Sequence, residues 1–276
     1  MLVLAGRYRV EELLGSGGFA TVHRGYDSHL QRQVAIKLAD PGAIGSAPQA
    51  MVLHEARAAA AVSHPHVARV YDYGETRADG RERPFIVMEY AQGRTLAQHL
   101  AARGRMPVAS AAAVCGGTAS ALAAAHRHHL VHRDIKPQNI VLTAGGVKVV
   151  DFGGAVTDGQ TSYDAPGRAC GTPAYQAPEQ LVEEPVSPAT DVYALGLVLY
   201  ECLAGKRFWR GRTAEEVRQA RETWWMPALP IRTPPRIRHL ITSCVARDPA
   251  DRPGAREVAG VLRGFGRSSA TAHRRR

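Results

Sequence analysis

Lysine is scarce in this sequence. The 276 residues include 35 lysine and arginine residues, of which only four are lysine, and the formal net charge is +10. We interpret this arginine-rich and alanine-rich composition as a genome-wide bias rather than as a nucleic-acid-binding surface, and we expect no specific nucleic-acid partner. Because a compact ammonium group cannot be exchanged for a planar guanidinium, the positions of the few lysines are informative.

Cysteine is equally sparse. Four cysteines, Cys115, Cys170, Cys202 and Cys244, are widely scattered, with no CxxC pair and no histidine at metal-ligand spacing. This excludes a disulfide framework and a zinc motif, and it favours reduced thiols in a cytoplasmic protein.

Targeting and membrane signals are missing too. The N-terminus lacks a basic region followed by an apolar run and a cleavage site, so no signal peptide is expected. Val108 to Ala125 is uncharged but consists mostly of alanine, serine and glycine. We expect a buried core helix there and no membrane segment. Residues 266–276 form a basic tail that we expect to be disordered.

The length and the 45% hydrophobic content suit one large domain or two coupled lobes with a sizeable core. The most informative stretch runs from His132 to Gly153. It places Asp134, Lys136, Asn139 and Asp151 within about twenty residues, around a short apolar strand. This concentration of charge and amide groups suggests a phosphoryl-transfer centre.

These residues resemble the catalytic loop (His132, Arg133, Asp134, Asn139) and the metal-binding triplet (Asp151-Phe152-Gly153) of the eukaryotic-type, or Hanks-type, protein kinases. The resemblance implies that Asp134 orients the acceptor hydroxyl and takes its proton. It implies that Lys136 reaches the transferred phosphate, as in Ser/Thr kinases, and that Asn139 and Asp151 supply oxygen ligands to Mg²⁺.

The N-terminal stretch from Tyr8 reads as two strands joined by a glycine turn. Gly15, Gly17 and Val22 match the kinase glycine-rich loop, whose backbone approaches ATP phosphates, and Phe19 lies at its tip. The third glycine of the family pattern is Ala20 here, a departure that could alter nucleotide affinity. A glycine hairpin alone is a weak signal, since an ordinary turn has the same composition.

The run Val34-Ala35-Ile36-Lys37 resembles the third kinase strand, where Ala35 and Lys37 share a face. A helix from Pro48 to Val62 carries Glu55, which the resemblance pairs with Lys37. Taken alone, Lys37 would be a surface lysine at the end of a strand, and Glu55 a solvated helix residue.

Val67 to Tyr73 and Pro84 to Tyr90 are predicted as strands joined by a charged turn, with the second strand entering the hinge. The resemblance assigns Met88 to the back of the nucleotide pocket, and the backbone of Glu89 and Ala91 to adenine. The full set of expected nucleotide contacts is Leu14, Gly15, Ser16, Gly17, Gly18, Phe19, Val22, Ala35, Lys37, Met88, Glu89, Ala91 and Val141.

Two further helices complete the expected large lobe around the central stretch. A long helix from Ser110 to His129 should pack Val114 and Leu122 inward. Asp191 opens another apolar helix, where it is either a helix cap or a brace for the catalytic loop.

Arg133, directly before Asp134, implies control by phosphorylation of the following loop. Thr157, Thr161, Ser162 and Tyr163 are candidate acceptors, among which we favour Thr161; solvated loop hydroxyls are the plain alternative. The segment Gly171 to Glu179 resembles the docking loop of Ser/Thr kinases, with Thr172 contacting Asp134 and Lys136. Glu179 and Arg252 should form a buried ion pair.

We therefore expect an α+β, bilobal protein kinase fold over residues 7–265. Its small lobe (about 7–90) would be an antiparallel β-sheet with one helix, and its large lobe (about 91–265) mainly helical. The expected function is an ATP- and Mg²⁺-dependent bacterial-like Ser/Thr protein kinase that acts on protein substrates and on its own activation loop, with a homodimer as one route. A pseudokinase and a small-molecule phosphotransferase are the alternatives. A domain of a longer receptor kinase stays open.

Overall fold

The computed structural model describes residues 2–17, 20–40, 48–78, 81–152, 155–160, 172–182, 184–209, 214–222 and 227–266. The chain divides into two compact units. The first comprises residues 1–63 and 67–92, and the second comprises residues 64–66 and 93–276. The division between the units falls between Gln92 and Gly93, and the short stretch His64–His66 belongs with the second unit.

The first unit is an antiparallel sheet with one helix. Its strands lie in the order β1-β2-β3-β4-β6-β5. The elements are β1 (Val3–Leu4), β2 (Tyr8–Ser16), β3 (Ala20–Asp27), β4 (Arg32–Ala39), α1 (Pro48–Ala60), β5 (Val70–Ala78) and β6 (Arg81–Glu89). The predicted glycine hairpin is confirmed as β2 and β3.

Strand alternation divides the core of this unit between two faces of the sheet. Val34, Ile36 and Leu38 of β4 pack in one apolar cluster. The intervening Ala35 and Ala39 pack in a second cluster that includes residues of α1. Successive side chains of a strand point to opposite faces, so the position of Lys37 within β4 is set by its register.

The predicted bounds of β5 and β6 were wrong. Both strands extend into the charged stretch that the sequence analysis assigned to a turn, and Thr76 pairs with Arg83, and Arg77 with Glu82. The side chains of Arg77 and Glu82 form an exposed cross-strand ion pair at 3.6 Å. Charged residues can therefore occupy these strands. In an exposed hairpin, opposite charges can face each other across the strands, and no alternation of apolar and polar residues is required.

The second unit is mainly helical. Its elements are β7 (Gly93–Thr95), α2 (Leu96–Arg103), α3 (Val108–His126), β8 (Leu130–Val131), β9 (Ile140–Thr143), β10 (Gly146–Val149), β11 (Val156–Thr157), α4 (Pro178–Leu181), α5 (Pro188–Ala204), α6 (Ala214–Glu222), α7 (Pro235–Cys244) and α8 (Ala255–Gly266). Short 3₁₀ turns occupy Pro137–Asn139, Pro173–Tyr175 and Pro249–Asp251.

Helix α3 begins and ends before the predicted Ser110–His129, but Val114 and Leu122 are buried as expected. It packs against α8 and α5. Among the described residues it is the one helix long and apolar enough to cross a membrane, and 56% of the tested window is buried inside the protein. The burial favours a core helix, because a helix that is apolar on all sides is also found inside large cores.

Helix α5 lies at the centre of this unit, with most of its residues buried. Ser187 caps its N-terminus by accepting the Ala189 N–H, and Pro188 follows at the first helical position, where a missing N–H costs nothing. The helix ends at Gly205 in the left-handed conformation (φ 71°), which glycine adopts without strain.

Candidate active site

Lys37 and Glu55 form a largely buried ion pair within the first unit. Lys37 Nζ lies 2.6 Å from Glu55 Oε1, and the two side chains are only 14% and 10% exposed. Strand β4 positions the lysine, and the middle of α1 positions the glutamate. The pair excludes the plain alternatives of a surface lysine and a solvated helix glutamate.

The glycine hairpin has room around it. A Cβ added at Gly15 would meet no described atom within 4 Å, and one at Gly17 would meet only the Ala20 carbonyl, at 3.7 Å. Packing within the described protein therefore does not require glycine at these positions. Close approach of the backbone to a phosphate group does require small residues, so the hairpin fits a nucleotide phosphate. Ala20 is a buried β3 residue paired with Ala39.

The other expected nucleotide contacts are distributed over both units. Leu14 is exposed, whereas Ala35, Met88 and Val141 are buried. The Glu89 N–H donates to the Arg69 carbonyl at 2.8 Å, so only the Glu89 carbonyl could serve an adenine. Gly18 and Phe19 lie outside the described residues.

Asp134, Lys136 and Asn139 come together in the second unit. Asp134 Oδ2 lies 2.6 Å from Lys136 Nζ and accepts a hydrogen bond from Asn139 Nδ2 at 3.0 Å. The same Nδ2 donates to the Asp134 carbonyl at 2.9 Å. Two acceptors on Asp134 thus determine which end of the Asn139 amide carries the NH₂ group, and Oδ1 is then the atom that could hold a metal.

Asp191 holds the loop that carries Asp134. Its carboxylate is fully buried; Oδ1 accepts the Arg133 N–H at 2.8 Å, and Oδ2 accepts the His132 N–H at 2.9 Å. His126 Nε2 lies 2.8 Å from the same Oδ2. Because Ser187 caps α5, Asp191 is the brace and not the cap.

The charge of Asp191 is stabilised in its buried place. Burial raises the pKa of this carboxyl, but the hydrogen bond and charge of His126 and the contacts with His132 outweigh burial, and the pKa lies below its ordinary value. The hydrogen bond from the Arg133 N–H to Asp191 also holds Arg133 in a strained backbone conformation, with a φ of +66°. His132 is a packed residue: its ring lies 4.6 Å from that of Phe152, and its Nδ1 accepts the Asp134 N–H.

Asp151 and Asn139 are linked through the backbone. The Val150 N–H donates to the Asn139 carbonyl at 3.0 Å, and Asp151 itself adopts a left-handed φ of +65°. No group of three or more His, Cys, Asp or Glu residues suited to a metal occurs among the described residues. A carboxylate and an amide oxygen fit Mg²⁺, which takes few protein ligands when phosphates and water supply the rest.

The expected docking segment is anchored to α5 and to Arg252. The Tyr175 hydroxyl donates to Glu201 Oε2 at 2.5 Å. Burial raises the pKa of Tyr175 and of Glu201. The predicted Glu179–Arg252 pair is confirmed: it is buried and bidentate, with distances of 2.7 and 2.9 Å.

The phosphorylation candidates are only partly described. Thr161, Ser162 and Tyr163 lie outside the described residues, and Thr157 lies in β11. Thr172 accepts the Tyr175 N–H through its carbonyl, but within the described contacts its hydroxyl makes no hydrogen bond to Asp134 or Lys136. The Arg133 carbonyl accepts from Gln180 Nε2 at 3.1 Å, a contact that sequence reasoning missed.

Comparison with known proteins agrees with this arrangement. The protein-family profile described as protein kinase domain matches residues 8–261. The chain is 38% identical over 272 residues to the serine/threonine-protein kinase PknA of Mycobacterium tuberculosis, covering 95% of this chain and 63% of that protein. It is 39% identical over 255 residues to PknL of the same species, covering 91% and 63%. It is 37% identical over 249 residues to the serine/threonine-protein kinase drp72 of Corynebacterium efficiens, covering 89% and 48%.

The chain thus spans less than two thirds of the length of these relatives. The match to the family profile nevertheless includes both units and every described element that carries a site residue. The chain belongs to the protein kinase domain family.

Proposed function

We propose that this chain is an ATP- and Mg²⁺-dependent protein kinase that phosphorylates serine and threonine hydroxyls. The observation that carries the proposal is the pairing of Asp134 Oδ2 with both Lys136 and Asn139 on a loop held by buried Asp191. Kinase family membership and the printed names of the relatives support the same reaction class.

Asp134 is assigned the role of orienting and deprotonating the acceptor. Lys136 and Asn139 occupy Oδ2, and Oδ1 accepts no hydrogen bond from the described residues. In the reaction the hydroxyl oxygen forms a bond to the γ-phosphorus as the bond to the ADP oxygen breaks, and the hydroxyl proton passes to Asp134 Oδ1. Lys136 supplies a cation to the transferred group.

Asn139 and Asp151 are the residues that would hold Mg²⁺. The metal supplies neutralisation of phosphate charge. We assign Lys37 to the ATP phosphates. The Glu55 carboxylate, 2.6 Å away, fixes the direction of the Lys37 ammonium group. The open surroundings of Gly15 and Gly17 support backbone contacts to the same phosphates.

Substrates and regulation follow as parts of this proposal. We assign protein substrates to the chain, including its own loop at Thr161, with Arg133 as the partner of a phosphate there and a homodimer as one route.

The described cysteines, Cys115, Cys202 and Cys244, are buried and free, which supports a cytoplasmic location. The domain limits we assign are residues 7–265.

Labelled ATP with Mg²⁺ and a basic protein substrate tests the proposal. Wild-type protein should label the substrate, and Asp134→Asn should lower the rate by about 10²–10⁴, the usual contribution of a general base. The melting temperature of this variant should match that of wild type within about 2 °C. ATP binding without label would point to a pseudokinase, and label confined to small acceptors would point to a small-molecule phosphotransferase; either result overturns the proposal.

A further inference from the structure

Arg221 of α6 reaches back to the expected docking segment. Its Nη2 donates to the Gln176 carbonyl at 2.5 Å and makes a longer contact, 3.4 Å, with the Pro173 carbonyl. These two carbonyls flank Ala174 and Tyr175, the centre of the 3₁₀ turn Pro173–Tyr175. One guanidinium thus contacts both ends of the turn, although it lies 45 residues along the chain from Gln176.

The other nitrogens of the Arg221 guanidinium lack hydrogen-bond acceptors among the described residues. The Tyr193 and Trp209 rings lie 5.6 and 5.5 Å from its central carbon. Its Nε and Nη1 are buried without a hydrogen-bond partner among the described residues. Burial lowers the pKa of Arg221. Glu179, whose charge acts to raise the pKa of Arg221, is already bound in bidentate fashion by Arg252.

This arrangement is costly for stability. A buried donor without a partner loses its water and gains nothing in return, at about 1–3 kcal/mol in typical proteins. An apolar side chain of similar length would avoid that cost. What arginine adds at position 221 is the pair of hydrogen bonds to the Gln176 and Pro173 carbonyls.

The docking segment is therefore held from two sides. The Tyr175 hydroxyl binds Glu201 of α5 on one side, and Arg221 of α6 binds the backbone on the other. Removing Arg221 removes its hydrogen bonds to the Gln176 and Pro173 carbonyls. The turn would then keep its side-chain anchor and lose the backbone contacts made by Arg221.

From these contacts we propose that Arg221 is a positioning residue for the protein substrate. It fixes the backbone of residues 172–176 in the conformation that receives the acceptor peptide. This inference rests on the proposed function, because it assigns a role in that reaction. It gives α6 a direct connection to peptide binding, while ATP binding stays independent of the residue.

Three variants test this role with a peptide substrate. Arg221→Met should raise the KM for peptide about tenfold, which corresponds to one lost hydrogen bond of about 1.4 kcal/mol, with the KM for ATP unchanged. Arg221→Lys should recover part of the loss, because an ammonium can reach one carbonyl but lacks the planar fork. The matched control is Arg218→Met, which removes an exposed arginine of the same helix that pairs with Glu215 at 2.6 Å, and it should leave both KM values unchanged.

Melting temperature and hydrogen exchange separate positioning from a merely structural role. Arg221→Met should melt at or above the wild-type temperature, because it removes the two buried unpaired N–H groups. The amides of Tyr175 and Gln176 should exchange about tenfold faster in this variant, whether or not the protein is active.

The outcomes distinguish the two proposals. If the wild-type protein labels no peptide, the proposed function is wrong. If amide exchange at Tyr175 and Gln176 is the same in Arg221→Met as in wild type, the positioning role is wrong, whether or not the protein is active. An active protein whose Arg221→Met variant keeps the peptide KM, or loses stability and all activity together, overturns the positioning role alone.

Discussion

Replacing Asp191 by asparagine should destabilise the second unit by about 3–5 kcal/mol, because the carboxylate accepts from three donors. An asparagine amide has only one oxygen. The best orientation of the side chain in Asp191→Asn puts this oxygen where Oδ2 of Asp191 lies, so that it still accepts hydrogen bonds from the His132 N–H and from His126. Its NH₂ group then faces the Arg133 N–H, 2.8 Å away in the wild type, donor against donor.

The magnitude follows from these contacts. Loss of a charge-assisted hydrogen bond costs about 1.5–3 kcal/mol, and the other two hydrogen bonds each lose about 1 kcal/mol when their acceptor becomes neutral. Urea unfolding followed by tryptophan fluorescence, to which the buried Trp209 beside α5 contributes, measures the change. The matched control is Asp248→Asn, where an exposed aspartate accepts the Ala250 N–H and asparagine caps equally well.

The pH dependence sharpens this prediction. Because the pKa of Asp191 is lower in the folded protein than its ordinary 3.8, its stabilisation is complete above that value and is lost as pH falls through the folded-state pKa. The difference between wild type and Asp191→Asn should shrink as the pH falls below about 4. If the variant and the Asp248→Asn control unfold at the same urea concentration at pH 7, the bracing role is refuted.

Two further predictions concern other buried charges. Arg252→Met should cost about 3–5 kcal/mol of unfolding free energy because it leaves Glu179 buried without its guanidinium. Adding Glu179→Leu should restore part of the loss, since it removes the buried charge but also the acceptor of Thr190; equal costs for the single and double variants would contradict this. Asp27, whose carboxylate accepts two hydrogen bonds from Arg7, has its pKa lowered to about 2 chiefly by those bonds. Its stabilisation should be present above about pH 4 and lost as pH falls through about 2, so the advantage of wild type over Asp27→Asn in thermal melts should vanish near pH 2.

The residues with local signals could be predicted from the sequence. The Lys37 and Glu55 positions, the catalytic loop and the Glu179–Arg252 pair all came from short motifs, and the structure brings the members of each group together. The resemblance carried these assignments, because each motif alone has a plain structural alternative. The apolar run that ends at Lys37, with its resemblance to a kinase strand, also predicted β4 correctly.

Element ends were harder because they depend on contacts beyond the local pattern. The charged stretch between β5 and β6 is strand because its backbone pairs across the hairpin, with Arg77 opposite Glu82, whereas polarity alone suggested a loop. The sequence does carry Asp-Gly at 79–80, a hairpin signal that could have corrected the bounds. Helix α3 ends at His126, three residues before the predicted end, and His129 has a φ of +56° that a helix cannot contain.

Long-range contacts outside the family motifs had no sequence signal. Arg221 was one of many arginines in a chain with this composition, and nothing local distinguished it from exposed Arg218 one turn earlier. For Asp191, which accepts the Arg133 N–H from 58 positions away, the sequence left a helix cap and a brace for the catalytic loop as alternatives, and only the structure decided between them. Such contacts follow from the packing of helices, which short motifs do not determine.

The polar side chains of α5 explain why the site depends on this buried helix. Almost every residue of α5 is apolar or buried, so each polar group on it needs a partner at hand. Thr190 donates to Glu179 at 2.8 Å, Asp191 accepts from the catalytic loop, and Glu201 accepts from Tyr175. These partners lie in the catalytic loop and in the docking segment with the helix that follows it. The buried helix thereby holds both segments, and the charge of Asp191 is retained because the loop that it positions satisfies its carboxylate.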